Sequence, residues 1–312
     1  MSKALITTAY GQDSIFLGRL LRSKGYKVLV LNHRNSAPMN FGHFDNFVDL
    51  DLTKTDQLVQ LIEDFQPSEI YNLAAVSSVA YSWINPALVN EVNGLAVERL
   101  MSKLRPSNKQ VIKFFQPGST DMVGKKLVES RESEFSPWSP YGKSKEIARR
   151  AVVKARTNGD LWAVNAILTN HDSEHRQDGF VIPKIANQII EVLNGKREQV
   201  ELQNPLVTRD WAHAEDIMEA AWKMMQNPEP DDFTLGTGLS LSLKELVDKC
   251  SFKLNISPEV TQIADSSVRK TDFDSIRINA LEAQLFLNWT PRRAGEETLL
   301  SIIEHKLTAF DN

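Results

Sequence analysis

Between residues 4 and 168, short apolar runs alternate with stretches of helical periodicity. The apolar runs fall at 4–7, 27–31, 47–50, 69–73, 110–116 and 161–168, and read as buried strands. Amphipathic helices are expected over 13–23, 53–65, 86–104 and 141–155. This order predicts an α/β fold, a Rossmann-type doubly wound parallel sheet with its helices as crossovers. After residue 170 the pattern loosens into a polar loop, a helix over 182–193 and short charged pieces. The expectation is a first domain over 1–168 and a smaller α/β lobe over 169–312, with segments near 206–240 returning to the first domain.

A doubly wound sheet binds ligands at the carboxyl ends of its strands, and the first turn carries the phosphate-binding glycines. Here that turn reads TTAYGQDS, residues 7–14, and retains Gly11 alone of three fingerprint glycines. Gly11 holds the middle place, where a side chain would meet a pyrophosphate. Ser14 is small enough for the close helix–strand approach. Thr8 occupies the first place, and a β-branched residue there resists positive φ. The second strand ends in LNHRNS, residues 31–36, without a carboxylate but with Arg34. An acidic residue at that place selects NAD and an arginine accommodates the extra phosphate of NADP, so the expectation is NADP.

SPYGKSK, residues 139–145, puts Tyr141 and Lys145 four apart at the start of a helix, on one face. An ammonium beside a phenol favours the phenolate, which makes Tyr141 a usable acid or base near neutral pH. GSTD, residues 118–121, places hydroxyls and a carboxylate just past a strand's carboxyl end. Turn chemistry alone would also account for Ser119 and Thr120. The net charge of −4, from 36 basic and 40 acidic residues, supplies no basic face for nucleic acid. The single cysteine, Cys250, excludes an intrachain disulfide and reads as a buried structural thiol. His171 and His175 lie four apart among loop-forming residues without an evident third ligand, so no metal site is expected. No run is apolar enough to span a membrane and no signal peptide is evident, so the expected localisation is cytoplasmic.

Several blocks together resemble the extended short-chain dehydrogenases/reductases, and among them the GDP-mannose 4,6-dehydratases. They are Gly11–Gln12–Asp13, YNLAAVSSVA at 71–80, Ser119 with Tyr141 and Lys145, AVNAILTNHDS at 163–173, RDWAHAED at 209–216, and EPDDF at 229–233 with Thr237 and Gly238. The resemblance runs from about residue 4 to 289. It implies that Gly11, Gln12, Asp13, Arg34, Asp51, Leu52, Ala74, Ala75, Ser77, Tyr141, Lys145, His171 and Arg176 line an NADP site. It also implies that Ser119, Asn170, Lys184, Arg209 and Arg269 hold a GDP-sugar, whose diphosphate calls for cations of this kind. In the chemistry it implies, Tyr141 takes the proton of the sugar C4 hydroxyl, Ser119 hydrogen-bonds the C4 oxygen, and a carboxylate removes the C5 proton before water leaves from C6.

The chain departs from that family's pattern at the carboxylate. The family has Thr-Ser-Glu where this chain has Ser119-Thr120-Asp121, and Asp121 is shorter by one methylene. A misplacement of about 1 Å at a reacting group costs about a hundredfold in rate. Three activities therefore remain open: a GDP-hexose 4,6-dehydratase with Asp121 as base, a GDP-4-keto-6-deoxyhexose reductase or epimerase, and a non-catalytic nucleotide-sugar or NADP binder. The resemblance favours the first, and an activated phenol has no use in the third. The identity of the sugar, hexose or heptose, stays open. The segment after Arg34 is shorter than the one the family uses in tetramer contacts, and helices 86–104 and 141–155 resemble its dimerisation pair. A homodimer is expected, with a tetramer as the alternative.

Overall fold

The computed structural model describes residues 1–32, 42–104, 111–124, 127–128, 134–262 and 275–310. Two compact units form. One comprises Met1–Gly124, Arg131–Leu168 and Met218–Leu235; the other comprises Lys125–Ser130, Thr169–Ile217 and Gly236–Asn312.

The first unit begins with β1 (Lys3–Ile6), α1 (Gln12–Ser23), β2 (Lys27–Asn32), β3 (Asn46–Asp49), α2 (Thr55–Phe65) and β4 (Glu69–Tyr71). It continues through α3 (Val79–Ile84), α4 (Pro86–Asn90), a π-helical turn at Glu91–Leu95, α5 (Ala96–Lys103) and β5 (Lys113–Pro117). A 3-10 turn at Thr120–Met122 follows, and then the two-residue β6 (Leu127–Val128), which belongs to the second unit. The first unit resumes with α6 (Pro140–Thr157) and β7 (Trp162–Leu168). The second unit holds β8 (Asn170–Asp172), α7 (Val181–Leu193), β9 (Gln199–Leu202) and β10 (Thr208–His213). Along α8 (Ala214–Met225) the chain passes back to the first unit and adds β11 (Phe233–Leu235). The remainder is β12 (Ser240–Ser242), α9 (Leu243–Lys253), β13 (Glu259–Gln262), β14 (Arg277–Ile278), α10 (Leu281–Phe286) and α11 (Glu296–Phe310).

The first unit's sheet has seven strands in the order β11-β7-β5-β4-β1-β2-β3. Every pairing in it is parallel, so the expected Rossmann-type doubly wound sheet is what forms. Strands buried on both faces explain the continuous apolar runs. One core cluster gathers Leu5, Leu29, Ile70 and Phe114 from the sheet with Leu58 and Ile62 of α2, Leu100 of α5 and Val152 of α6. Asp232, just before β11, accepts from Arg156 Nη1 at 2.5 Å and from the Asn165 backbone N–H at 2.9 Å, which fixes the returning strand at the sheet edge. In the second unit, a separate cluster joins Ile185 and Ile189 of α7, Trp211 of β10, Leu246 of α9 and Ile302 of α11.

Two expectations differ from what forms. Residues 86–104 do not make one continuous α-helix, because the π turn at Glu91–Leu95 interrupts it. The apolar stripe that predicts the helix is blind to one extra residue in a turn. The polar stretch after residue 170 contains a strand: β8 pairs in parallel with β10, matching Asn170 to Trp211 and Asp172 to His213. Its polar side chains hide the strand from any reading of hydrophobic periodicity.

Candidate active site

Gly11 caps the N-terminus of α1 at φ 99°. A Cβ built there would meet nothing within 4 Å, so the chain leaves open space directly above the helix end. That is the cradle a pyrophosphate needs, with backbone N–H groups at the positive end of a helix. Thr8 is not among the residues at positive φ. Its hydroxyl instead accepts the Tyr10 N–H at 3.1 Å, a side-chain turn that replaces the missing first glycine. Gln12 and Ser14 are buried under the loop, and the Ser14 hydroxyl reaches the Tyr10 carbonyl at 3.4 Å. The residues of this loop therefore fit a dinucleotide.

Neighbouring strand ends supply the rest of the first unit's candidates. Leu52 is buried, and the Asp51 carboxylate folds back onto the Thr53 N–H and hydroxyl at 2.9 Å each. The Ala74 N–H donates to Thr7 Oγ1 at 3.0 Å. Val76 is gripped at both backbone atoms by Asn93: its N–H donates to Oδ1 at 2.8 Å, and its carbonyl accepts from Nδ2 at 3.0 Å. Asn93 sits in the π turn and is 2% exposed, so it fixes the loop that carries Ala74, Ala75 and the exposed Ser77. Sequence reasoning missed this residue, because a lone Asn inside an apolar helix stripe carries no signal of its partner. Arg34 and Arg269 lie outside the described residues.

The two segments with candidate catalytic residues meet in the same unit. Ser139 caps α6 by accepting the Gly142 N–H at 2.9 Å, and Pro140 takes the first turn. Tyr141 and Lys145 both lie on α6, with Nζ 5.8 Å from the phenol ring centroid, whereas Lys143 is exposed. Lys145 is 4% exposed and donates to the Pro117 carbonyl at 3.0 Å. Ser119 caps the 3-10 turn by accepting the Asp121 N–H at 3.2 Å, and its hydroxyl lies 3.4 Å from Asp121 Oδ2. Gly142 explains how the segments come together. A Cβ there would stand 2.5 Å from the Asp121 carbonyl oxygen, so the residue after Tyr141 must be glycine for the Ser119–Asp121 turn to pack against α6.

Burial pushes the Lys145 ammonium down to about 8, and the negative charge of Asp13 opposes that shift. A buried ammonium beside a phenol, donating to the carbonyl at the end of β5, marks a candidate acid–base site.

The second unit holds the other candidates. Asn170 and His171 lie on β8; Asn170 is exposed, and His171 Nδ1 sits 2.8 Å from the Thr169 carbonyl. Arg176 stacks its guanidinium 3.6 Å over the Phe180 ring, 3.6 Å from Asp172 Oδ1. Lys184 is exposed on α7. Arg209, 7% exposed on β10, donates to the Thr208 carbonyl at 2.8 Å. Its neighbour Asp210 accepts the Thr237 and Gly238 N–H groups at 3.2 and 2.6 Å. Burial raises the Asp210 carboxyl to about 6, and those two N–H bonds limit the rise. Glu174 bridges His175 and His213, at 3.5 Å from each. Burial would raise its carboxyl, but the His213 hydrogen bond and the neighbouring histidines outweigh that and hold it at about 2. Among the described residues, no three metal-ligating side chains cluster, and no helix is long and apolar enough to cross a membrane.

A family model described as GDP-mannose 4,6 dehydratase matches residues 5–301. The GDP-mannose 4,6 dehydratase of Dictyostelium discoideum is 34% identical, covering 99% of this chain and 97% of that protein. The enzyme of that name from Cricetulus griseus is 32% identical, covering 96% of this chain and 90% of its own. A solved structure of MoeE5 in complex with UDP-glucose and NAD superposes with a TM-score of 0.83 at 24% identity, over 99% of this chain and 100% of that one, which speaks for the fold. A match over nearly the whole chain, on top of the Gly11 cradle and the paired Tyr141 and Lys145, places this chain in the GDP-mannose 4,6-dehydratase family.

Proposed function

We propose that this protein is an enzyme that dehydrates GDP-mannose to a GDP-4-keto-6-deoxyhexose with NADP as its bound cofactor. The observation that carries the reading is Ser119, Asp121, Tyr141 and Lys145 held together around Gly142 in one unit. Gly11, Gln12, Asp13, Asp51, Leu52, Ala74, Ala75 and Ser77 of the first unit would hold the dinucleotide. NADP rather than NAD follows from Arg34 and the absence of a carboxylate at 31–36. Asn170, Lys184, Arg209 and Arg269 would hold the GDP-sugar. The nicotinamide supplies a hydride acceptor and donor when bound. Tyr141 takes the proton from the C4 hydroxyl, and Ser119 hydrogen-bonds the C4 oxygen. The 4-ketone acidifies C5–H; Asp121 removes that proton and passes it to the C6 hydroxyl, which departs as water, and C5 regains a proton as the hydride taken from C4 would return to C6. Lys145 keeps a positive charge beside the phenol. A homodimer through residues 86–104 and α6, with a tetramer as the alternative, and a cytoplasmic location go with this reading.

Purified protein given GDP-mannose and catalytic NADP+ is expected to yield GDP-4-keto-6-deoxymannose, scored by mass spectrometry and by the carbonyl carbon in NMR. Consumption of NADPH with that ketone as substrate, without ketone formation from GDP-mannose, would assign the reductase instead. Binding without either turnover would assign the non-catalytic reading.

The same site predicts a pH dependence. Lys145 is charged below about pH 8 and loses its proton above it. The phenolate of Tyr141 loses its counter-charge with it, so kcat/KM is expected to fall along an alkaline limb near pH 8. Asp13→Asn removes the charge that supports the ammonium and should shift that limb to lower pH. A limb that stays in place would take Asp13 out of this role.

A further inference from the structure

On three adjacent strands, β1, β4 and β5, one level of the sheet is polar. Ile6, Tyr71 and Phe115 are register partners on β1, β4 and β5. The next residues along are Thr7, Asn72 and Gln116, exposed 2%, 1% and 2%. Their side chains form an unbroken relay. The Ala74 N–H donates to Thr7 Oγ1 at 3.0 Å, and Thr7 donates to Asn72 Oδ1 at 2.9 Å. Asn72 Nδ2 donates to Gln116 Oε1 at 2.7 Å, and Gln116 Nε2 donates to the Pro117 carbonyl at 3.2 Å. That carbonyl is the acceptor of the Lys145 ammonium, at 3.0 Å.

The ends of the relay fix its direction. The Ala74 N–H can only donate and the Pro117 carbonyl can only accept. Thr7 must therefore donate onward, and each amide between has one orientation that satisfies both neighbours. Flipping either amide would set two donors or two acceptors face to face in a dry interior, where such mismatches are costly. The Pro117 oxygen thus divides its two lone pairs between a neutral amide and an ammonium.

We propose that Gln116, oriented by Asn72 and Thr7, is a positioning residue for Lys145: its amide holds the Pro117 carbonyl and shares it, setting where the ammonium sits and how firmly it keeps its proton. Sharing weakens the oxygen as an acceptor, so the relay works with burial to loosen the hold of Lys145 on its proton. Among the described residues, Asp13 at the start of α1 supports the ammonium by its charge, and the Tyr141 ring lies 5.8 Å from Nζ one turn back on α6. The catalytic task of Lys145 rests on the function proposed above; the relay does not.

The test reads Lys145 directly. In protein labelled with 13C at lysine Cε, the Lys145 resonance is identified by its loss in Lys145→Arg, and its titration is followed without substrate. Gln116→Glu places a carboxylate near the ammonium and should move the titration up by about one to two pH units, since both nitrogens lie within 3.2 Å of one oxygen. Gln116→Met removes the shared donor without adding charge and should move it in the same direction by less. The alkaline limb of turnover should follow the resonance in each variant. If Gln116→Met, folded, leaves the titration in place, Gln116 is structural only and the proposal fails, even if Gln116→Glu shifts it through its charge. If Gln116→Glu does not fold, Gln116→Met decides alone. Failure of the enzyme to act on GDP-mannose would leave the titration result standing.

Discussion

Tyr141→Phe is expected to reduce turnover of GDP-mannose by about 10²–10⁴-fold, the usual contribution of a positioned acid or base. Phenylalanine keeps the ring that lies 5.8 Å from Lys145 Nζ and removes only the hydroxyl. The helix start is unaffected, because it is fixed by Ser139 and Pro140. Affinity for NADP(H), measured by fluorescence or calorimetry, should therefore stay near that of the parent. Undiminished turnover would remove Tyr141 from the mechanism. A parallel loss of cofactor binding would show that the hydroxyl serves the site's architecture instead of its chemistry.

The second large effect concerns Asp121. Asp121→Asn is expected to lower dehydration by a similar factor, about 10²–10⁴-fold, through loss of the base at C5. The side chain stays the same size, and the Asp121 N–H still donates to Ser119 Oγ, so the turn should keep its shape. Two measurements separate the steps. Reduced cofactor should still accumulate at 340 nm in a single turnover. Exchange of C5–H for deuterium in the 4-keto product, incubated with enzyme in D2O, should almost stop. Equal loss of both signals would undercut the assignment of Asp121 as the C5 base. Gly142 lets the Asp121 carbonyl approach the first turn of α6 to a distance at which any side chain would collide.

Much of this site was legible in the chain. Tyr141 and Lys145 share a helix face through spacing alone, and the alternation of apolar runs and helical stripes required a parallel sheet with its loops at one end. Gly11 was legible as the glycine of the first turn, and it adopts the positive φ of 99° that glycine allows. Thr8 was misleading. As a β-branched residue in a glycine's place it counted against the loop, yet its hydroxyl makes the turn by bonding to the Tyr10 N–H. A side chain that substitutes for a backbone conformation leaves no mark in a glycine pattern. Asn93, Asn72 and Gln116 were illegible for a related reason. A buried amide is read from its partners, and theirs lie 17 and 44 residues away in the cases of Asn93 with Val76 and Asn72 with Gln116. β8 was lost because a three-residue polar strand has no hydrophobic period to display.

The π turn at Glu91–Leu95 makes residue count a functional variable. Each residue along a helix advances the direction of its side chain by about 100°. A π turn is a helix holding one residue more than an α-helical turn would, so α4 and α5 are out of phase by that residue. Deleting one position between 91 and 95 would let the run close into a regular helix. It would also rotate everything on one side of the cut, swinging the amide at 93 away from Val76 while altering no other side chain. An alignment would record a single gap in a helix; the loop carrying Ala74, Ala75 and Ser77 would lose both of the bonds that Asn93 makes to Val76.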